Sequence, residues 1–228
     1  WQAALEAAPA TYAMALRVWP QEDLSWQTAQ ERLRQSFLTV LDQHGLAQVH
    51  DILDLGCSVG ISTLSVHRHY VQKQSQRPSQ TRPVRSVGLD LSPYMLAVAQ
   101  TQDVDDEIAQ WVHAPAESTG FANGSFDLVT MQFVIHELPR SATQAIFAEA
   151  MRVLRPGGAI AIVDNNPQSP VIQALPPVLF TLMKSTEPWS DDYYTFDVEA
   201  ALAIAGFEPP VLVPSDPRHR TLVARKAA

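Results

Sequence analysis

Apolar positions along the chain change period near residue 50. Within 26–43, Leu33, Phe37, Val40 and Leu41 recur at helical spacing, and Gly45 follows as a C-terminal stop. From residue 51 the pattern becomes a series of short apolar runs separated by turn residues. The first, 51–55, reads as a buried strand closed by glycine. A helix is predicted over 61–70, whereas 72–85 is rich in Gln, Ser, Arg and Pro without an apolar period and predicts a surface insertion loop. A second strand falls at 86–90. Ser92 and Pro93 behind it suit an N-cap and first-turn proline for a helix carrying Met95, Leu96 and Val98. Further strands are predicted at 111–113 and 126–131, the latter after the turn Asn123-Gly124. An amphipathic helix over 141–154 then ends at Pro156-Gly157-Gly158, before a nearly all-apolar strand at 159–163. A proline-rich stretch, 165–190, precedes a helix over 198–205, Gly206-Phe207, and strands at 211–213 and 221–224.

Strands that alternate with helices and are apolar on both faces belong to a doubly wound α/β sheet. Seven strands are predicted, mostly parallel, ending in an antiparallel hairpin and preceded by N-terminal helices. A chain of 228 residues suffices for one such domain. It divides into an N-terminal helical cap (1–48), a core (49–164), a variable segment suited to a lid (165–195), and a final helix with hairpin (196–228).

Composition narrows the partners. With 46% hydrophobic and 18% charged residues the chain is globular, and no run reaches the ~18 apolar residues of a membrane span. A net charge of −8 without a basic block argues against a nucleic-acid substrate. The single cysteine, Cys57, excludes an internal disulfide and a thiolate metal cluster; no metal is expected, and the cytoplasm is the expected compartment. The chain begins at Trp1 rather than Met, so a preceding segment is expected to be missing and targeting is not readable.

Ligands of alternating βα sheets sit at the carboxyl ends of strands, where strand order reverses. The first such turn is Asp54-Leu55-Gly56-Cys57-Ser58-Val59-Gly60, in which Gly56 and Gly60 permit close backbone approach. The turn alone leaves several readings open. Gly56-Cys57-Ser58-Val59-Gly60 matches the G-x-S-x-G elbow of hydrolases, with Ser58 as nucleophile and Asp164 and His219 downstream in triad order. An elbow serine, however, follows several strands, and here only one precedes it. A dinucleotide fingerprint for an NAD-dependent oxidoreductase requires G-x-G-x-x-G, but position 58 is Ser and the last glycine falls at 60. Glycines placed for packing alone are the plainest alternative. Asp90, ending the second strand, adds a carboxylate suited to a ribose diol, or else a helix-entry residue before Ser92.

Taken together, these residues resemble the class I S-adenosylmethionine-dependent methyltransferases, in particular small-molecule enzymes such as the ubiquinone/menaquinone C-methyltransferases. The resemblance covers about 50–164. The 54–60 turn matches the family's first motif, with Ser58 where a glycine is usual, and Val87-Gly88-Leu89-Asp90-Leu91-Ser92 matches the second. Gly124-Ser125-Phe126-Asp127-Leu128-Val129 and Leu154-Arg155-Pro156-Gly157-Gly158 correspond to the fourth-strand motif and the turn before the fifth strand. The resemblance implies a Rossmann-like fold and S-adenosylmethionine as cofactor, with S-adenosylhomocysteine as product. It implies that Asp54, Gly56 and Gly60 border the methionine moiety, with Cys57 and Ser58 also in the cofactor-binding turn and Ser58 as loop backbone. Asp90 would hold the ribose, Leu91 and Met95 one face of the adenine, and Gln132 the methyl end. The family often has Gly-Asp-Ala after the third strand. This chain has Ala114-Pro115-Ala116-Glu117, so the adenine amino group would fall to Ala116 backbone or Glu117.

Residues 132–138, Gln-Phe-Val-Ile-His-Glu-Leu, resemble the segment that faces the methyl group and acceptor. They lack the Asn/Asp-Pro-Pro-aromatic sequence of amino-methylating enzymes that act on nucleobases or protein side chains. Methyl transfer needs an acceptor held in line and water excluded, sometimes with a base. A neutral His136 could take the acceptor's proton, or only hydrogen-bond within the pocket wall, and Glu137 could orient it or face solvent. The acceptor is expected to be a small hydrophobic or aromatic molecule met by Tyr12, Phe133, His136, Trp189, Tyr193 and Tyr194, with Trp19, Phe180 and Met183 adding apolar surface. A cofactor-binding module without transferase activity is the other functional class considered.

Overall fold

The structure is a computed structural model that describes residues 26–76 and 82–228. The expected contacts of Tyr12 and Trp19 lie outside the described residues. The first described element is helix α1 (Trp26–His44), followed by β1 (Asp51–Leu55), α2 (Ile61–Ser75), β2 (Arg85–Asp90), α3 (Pro93–Gln102), β3 (Gln110–His113) and β4 (Phe126–Gln132). A 3-10 turn (Ile135–Glu137) leads to α4 (Arg140–Val153) and β5 (Leu154–Asn165). The chain then runs through α5 (Pro170–Gln173), α6 (Pro177–Thr186), α7 (Ser190–Tyr194), α8 (Val198–Ala205), β6 (Val211–Pro214) and β7 (His219–Arg225).

The seven strands form one sheet in the order β3-β2-β1-β4-β5-β7-β6. The first five pair in parallel, and β7 runs antiparallel to both β5 and β6. Chain order reverses between β1 and β4, which places a ligand crevice at their carboxyl ends. Alternating side chains bury both faces. Leu53 and Leu55 pack with Phe147, Ala150 and Leu202 on one side, while Ile52 packs with Phe37, Leu41, Val66 and Tyr70 of α1 and α2 on the other.

The doubly wound, mostly parallel sheet expected from the sequence is therefore the observed fold, with three local corrections. Helix α2 continues to Ser75, into the stretch read as a loop; Gln, Lys and Ser on an exposed flank need no apolar period to stay helical. Strand β5 starts at Leu154, because Leu154 pairs with Phe126 and the ladder resumes, after a register shift, at Leu128–Ala159. The proline-rich stretch forms three short helices, two of which begin at the prolines Pro170 and Pro177, whose fixed φ suits a first helical turn.

Candidate active site

Three residues of the turn after β1 have positive φ: Gly56 (71°), Ser58 (49°) and Gly60 (80°). Glycine adopts this region freely, but serine does not, so Ser58 needs external support. Asp90 supplies it. Its Oδ2 accepts the Ser58 N–H at 2.8 Å, and its Oδ1 accepts the Ser92 N–H at 2.8 Å. The Gly56 and Cys57 N–H groups both donate to Leu89 O, so the turn is clamped to the end of β2.

Asp54 occupies the other side of the turn. It is fully buried, with Oδ2 accepting Ser62 Oγ (2.8 Å) and Thr63 Oγ1 (2.7 Å) and Oδ1 accepting Thr130 Oγ1 (2.6 Å). Burial raises its pKa against the three hydroxyl donors. Asp54 thus ties β1, β4 and the start of α2 beneath the cleft, which it reaches through Ser62. Cys57 is also buried, and burial raises its thiol pKa, so its side chain packs while its backbone lines the turn.

The turn after β4 closes the crevice. Phe133 has φ 58°, a strained conformation for a bulky residue, and its ring meets His219 edge-on at 5.1 Å between centroids. One residue on, Val134 packs so tightly on Gly56 that a Cβ there would lie 2.6 Å from Val134 Cγ2. Between the two turns is a cleft of about 260 Å³ lined by Gly56, Cys57, Ser58, Ser62, Gln132 and Phe133, roofed by Gln30, Leu33 and Arg34 of α1. Helix periodicity placed Leu33 on an apolar face but gave no sign that α1 covers the crevice. Gln132 Nε2 is buried without a hydrogen-bond partner among the described residues, a donor that an oxygen of a bound group would satisfy.

His136 lies beyond this cleft on the 3-10 turn and is buried. Its Nδ1 stands 2.7 Å from Oδ1 of the fully buried Asp164, an ion contact outside hydrogen-bond alignment, and its backbone N–H donates to Asp164 Oδ2 at 3.3 Å. Burial alone would lower the imidazole pKa. The Asp164 charge overrides it, with Glu187 and Glu137 adding to the effect, and pushes the pKa up to about 9. This favours the doubly protonated imidazolium, whereas a base taking the acceptor's proton would have to be the neutral ring. Glu137 is mostly exposed, and the carboxylate in contact with His136 is Asp164.

The other predicted residues are spread around the same rim. Leu91 and Met95 are exposed beside Asp90, Glu117 is exposed, and Ala116 packs against the core. Tyr193 is buried, with its hydroxyl donating to Asn165 O, so it anchors α7 and does not present a free surface to a ligand. Tyr194 is half-buried and meets Phe180 edge-on at 5.4 Å. Trp189 is exposed. The hydrolase triad is dispersed: Ser58 is bound by Asp90, Asp164 contacts His136, and His219 Nδ1 pairs with Asp216 at 2.8 Å. Among the described residues no group of His, Cys, Asp and Glu is placed to hold a metal, and no helix is long and apolar enough to cross a membrane.

Comparison with known proteins agrees with this fold. A family described as "Methyltransferase domain" matches residues 53–162. An uncharacterized methyltransferase of Synechocystis is 30% identical over 168 residues, covering 73% of this chain and 71% of that protein. The chain belongs to the S-adenosylmethionine-dependent methyltransferases. A demethylmenaquinone methyltransferase of Lactiplantibacillus plantarum is 32% identical over 56% of this chain and 53% of its own length, so the chain spans about half of that relative. A crystal structure of a SAM-dependent methyltransferase from Aquifex aeolicus superposes with a TM-score of 0.62 at 17% identity, covering 92% of this chain and 97% of the other. That likeness establishes the methyltransferase fold.

The cofactor of this family is S-adenosylmethionine, whose sulfonium supplies an activated methyl group. The cleft residues fit it. Gly56–Val59 and the Gln132 amide border a pocket at the switch point, and Asp90 stands at the end of β2 with lone pairs beyond the two N–H groups it accepts.

Proposed function

We propose that this methyltransferase acts on a small hydrophobic or aromatic acceptor. The carrying observation is a second cleft, about 380 Å³, lined by Pro167, Ile172, Leu175, Pro177, Phe180 and Tyr194 of the 165–195 segment. Gln168 and Gln173 complete a wall that is otherwise apolar and aromatic, a mixture that small-molecule pockets use. A file of rings joins it to the methyl-facing turn: Phe180 to Tyr194 (5.4 Å), Tyr194 to Tyr193 (5.6 Å) and Tyr193 to His136 (6.3 Å). The 165–195 segment is the lid in this reading. It is held to the core by Arg140 Nε, which donates to Asp192 Oδ1 at 3.2 Å, and by the Tyr193 hydroxyl.

In this assignment Asp90 accepts the ribose hydroxyls, Leu91 and Met95 cover one adenine face, and Ala116 or Glu117 meets the adenine edge. Gln132 donates to the methionyl end, and Phe133 with α1 excludes water. The names of the relatives support an apolar acceptor: they include demethylmenaquinone methyltransferases and a 2-methoxy-6-polyprenyl-1,4-benzoquinol methylase of Caenorhabditis elegans. A net charge of −8 disfavours nucleic acid.

The test is transfer of a deuterated methyl group from S-adenosylmethionine into three pools: a solvent-extractable metabolite fraction, total tRNA and total DNA. Label confined to the extractable fraction is the expected result. Label in either nucleic acid, or in none of the pools, would overturn the proposal.

A further inference from the structure

The surroundings of His136 select among small acceptors. Its side chain is 10% exposed, and its two nitrogens face different partners. Nδ1 contacts Asp164 at the end of β5, which fixes the ring and its charge from below. Nε2 makes no hydrogen bond to the described residues and faces two carboxylates just beyond reach: Glu137 Oε1 at 3.9 Å and Glu187 Oε1 at 4.0 Å. Glu137 belongs to the same 3-10 turn, whereas Glu187 comes from the link between α6 and α7. Tyr193 of α7 packs edge-on against the ring. A donor N–H flanked at about 4 Å by two acceptors leaves a gap for one polar group.

Resting on the methyltransferase reading, we infer that His136 Nε2, Glu137 and Glu187 form a hydroxyl-binding subsite, and that the acceptor is a neutral phenol or alcohol. Three candidate head groups differ in what they offer. A carboxylate or phosphate accepts from Nε2–H but donates nothing and brings a further negative charge beside Glu137 and Glu187. An amine placed between two carboxylates is held as ammonium and has no lone pair for Nε2–H. A hydroxyl does both: its oxygen accepts from Nε2–H while its proton is donated to Glu187 or Glu137. The same bonds orient the oxygen toward the methyl-facing turn. Asp164 is a positioning residue in this scheme, since its charge at Nδ1 favours the doubly protonated ring, in which Nε2–H is free to donate. Glu187 makes the subsite dependent on the 165–195 segment, so the acceptor head group is completed by the element that also supplies the apolar cleft.

The test uses protein saturated with S-adenosylhomocysteine and three probes of one shape: 4-methylphenol, 4-methylbenzoate and 4-methylbenzylamine. Calorimetry gives affinity, and NMR follows the His136 imidazole. The phenol is expected to bind at least about tenfold more tightly than either charged probe and to shift the His136 resonance. His136→Asn and Glu187→Gln are each expected to lower phenol affinity about tenfold or more, as loss of a charge-assisted hydrogen bond requires, with homocysteine-product binding retained. Tighter binding of the benzoate or the amine, phenol binding insensitive to both variants, or no binding of any probe while S-adenosylhomocysteine binds would overturn the subsite alone. Failure of S-adenosylhomocysteine itself to bind would instead overturn the reading on which it rests.

Discussion

The carboxylate of Asp90 holds the backbone N–H of Ser58 at 2.8 Å, joining the ends of β1 and β2 across 32 residues. This bond explains how a serine occupies a left-handed conformation in a turn where glycine is the easier choice. It also assigns Ser58 a backbone role. Ser58→Gly is expected to leave S-adenosylhomocysteine affinity within about twofold and to shift stability by less than about 1 kcal/mol, because relief of strain and added chain entropy oppose each other. Calorimetry and thermal unfolding check both, and a large loss of affinity would show that the hydroxyl itself binds ligand.

Gly88 lies under Trp111. A Cβ at position 88 would stand 2.5 Å from Trp111 Cζ3 and 3.1 Å from Cys57 Sγ, in a buried strand. Gly88→Ala is expected to cost about 1–3 kcal/mol as an overpacked core position, read from the urea midpoint. An unchanged midpoint would mean that the indole moves aside.

Thr130 donates to Asp54 at 2.6 Å in a buried site already filled by two other hydroxyls. Thr130→Val keeps the shape and removes one donor from a buried carboxylate. The expected cost is about 1–3 kcal/mol in unfolding experiments, with the fold retained.

Alkaline stability reports on His136. Its pKa is about 9 in the folded protein against an ordinary value near 6.5, so the charged form stabilises the fold. That contribution is complete below about pH 6.5 and disappears as pH rises through about 9. Between pH 6 and pH 9 wild type is expected to lose about 3 kcal/mol more than His136→Gln. Equal slopes for the two proteins would contradict the ion contact with Asp164.

Much of the fold was legible because parallel strands covered on both faces are continuous apolar runs. Val87–Leu89 and Ile160–Val163 are such runs, and Ile52–Leu55 is broken only by Asp54. Motif spacing likewise located Asp90 and the glycine turn. The extension of α2 to Ser75 escaped because exposed helix flanks carry no apolar signal. The contact between His136 and Asp164 escaped for a different reason. The two residues are 28 positions apart and meet only because β4 and β5 are neighbours. The sequence had instead offered Asp164 as a partner for Ser58 and His219, an order-based reading that strand adjacency dissolves. The burial of Tyr193 was hidden in the same way, since an aromatic in a proline-rich stretch looks alike whether it lines a cleft or anchors a helix.

The cofactor assignment is tested most directly by calorimetric titration of S-adenosylhomocysteine into the wild type and Asp90→Ala. Wild type is expected to bind with one site per chain, and Asp90→Ala is expected to bind at least about tenfold more weakly, through lost ribose contacts and a released Ser58 turn. Absence of binding to wild type, or equal affinity of the two proteins, would contradict the placement of the cofactor at the ends of β1 and β2.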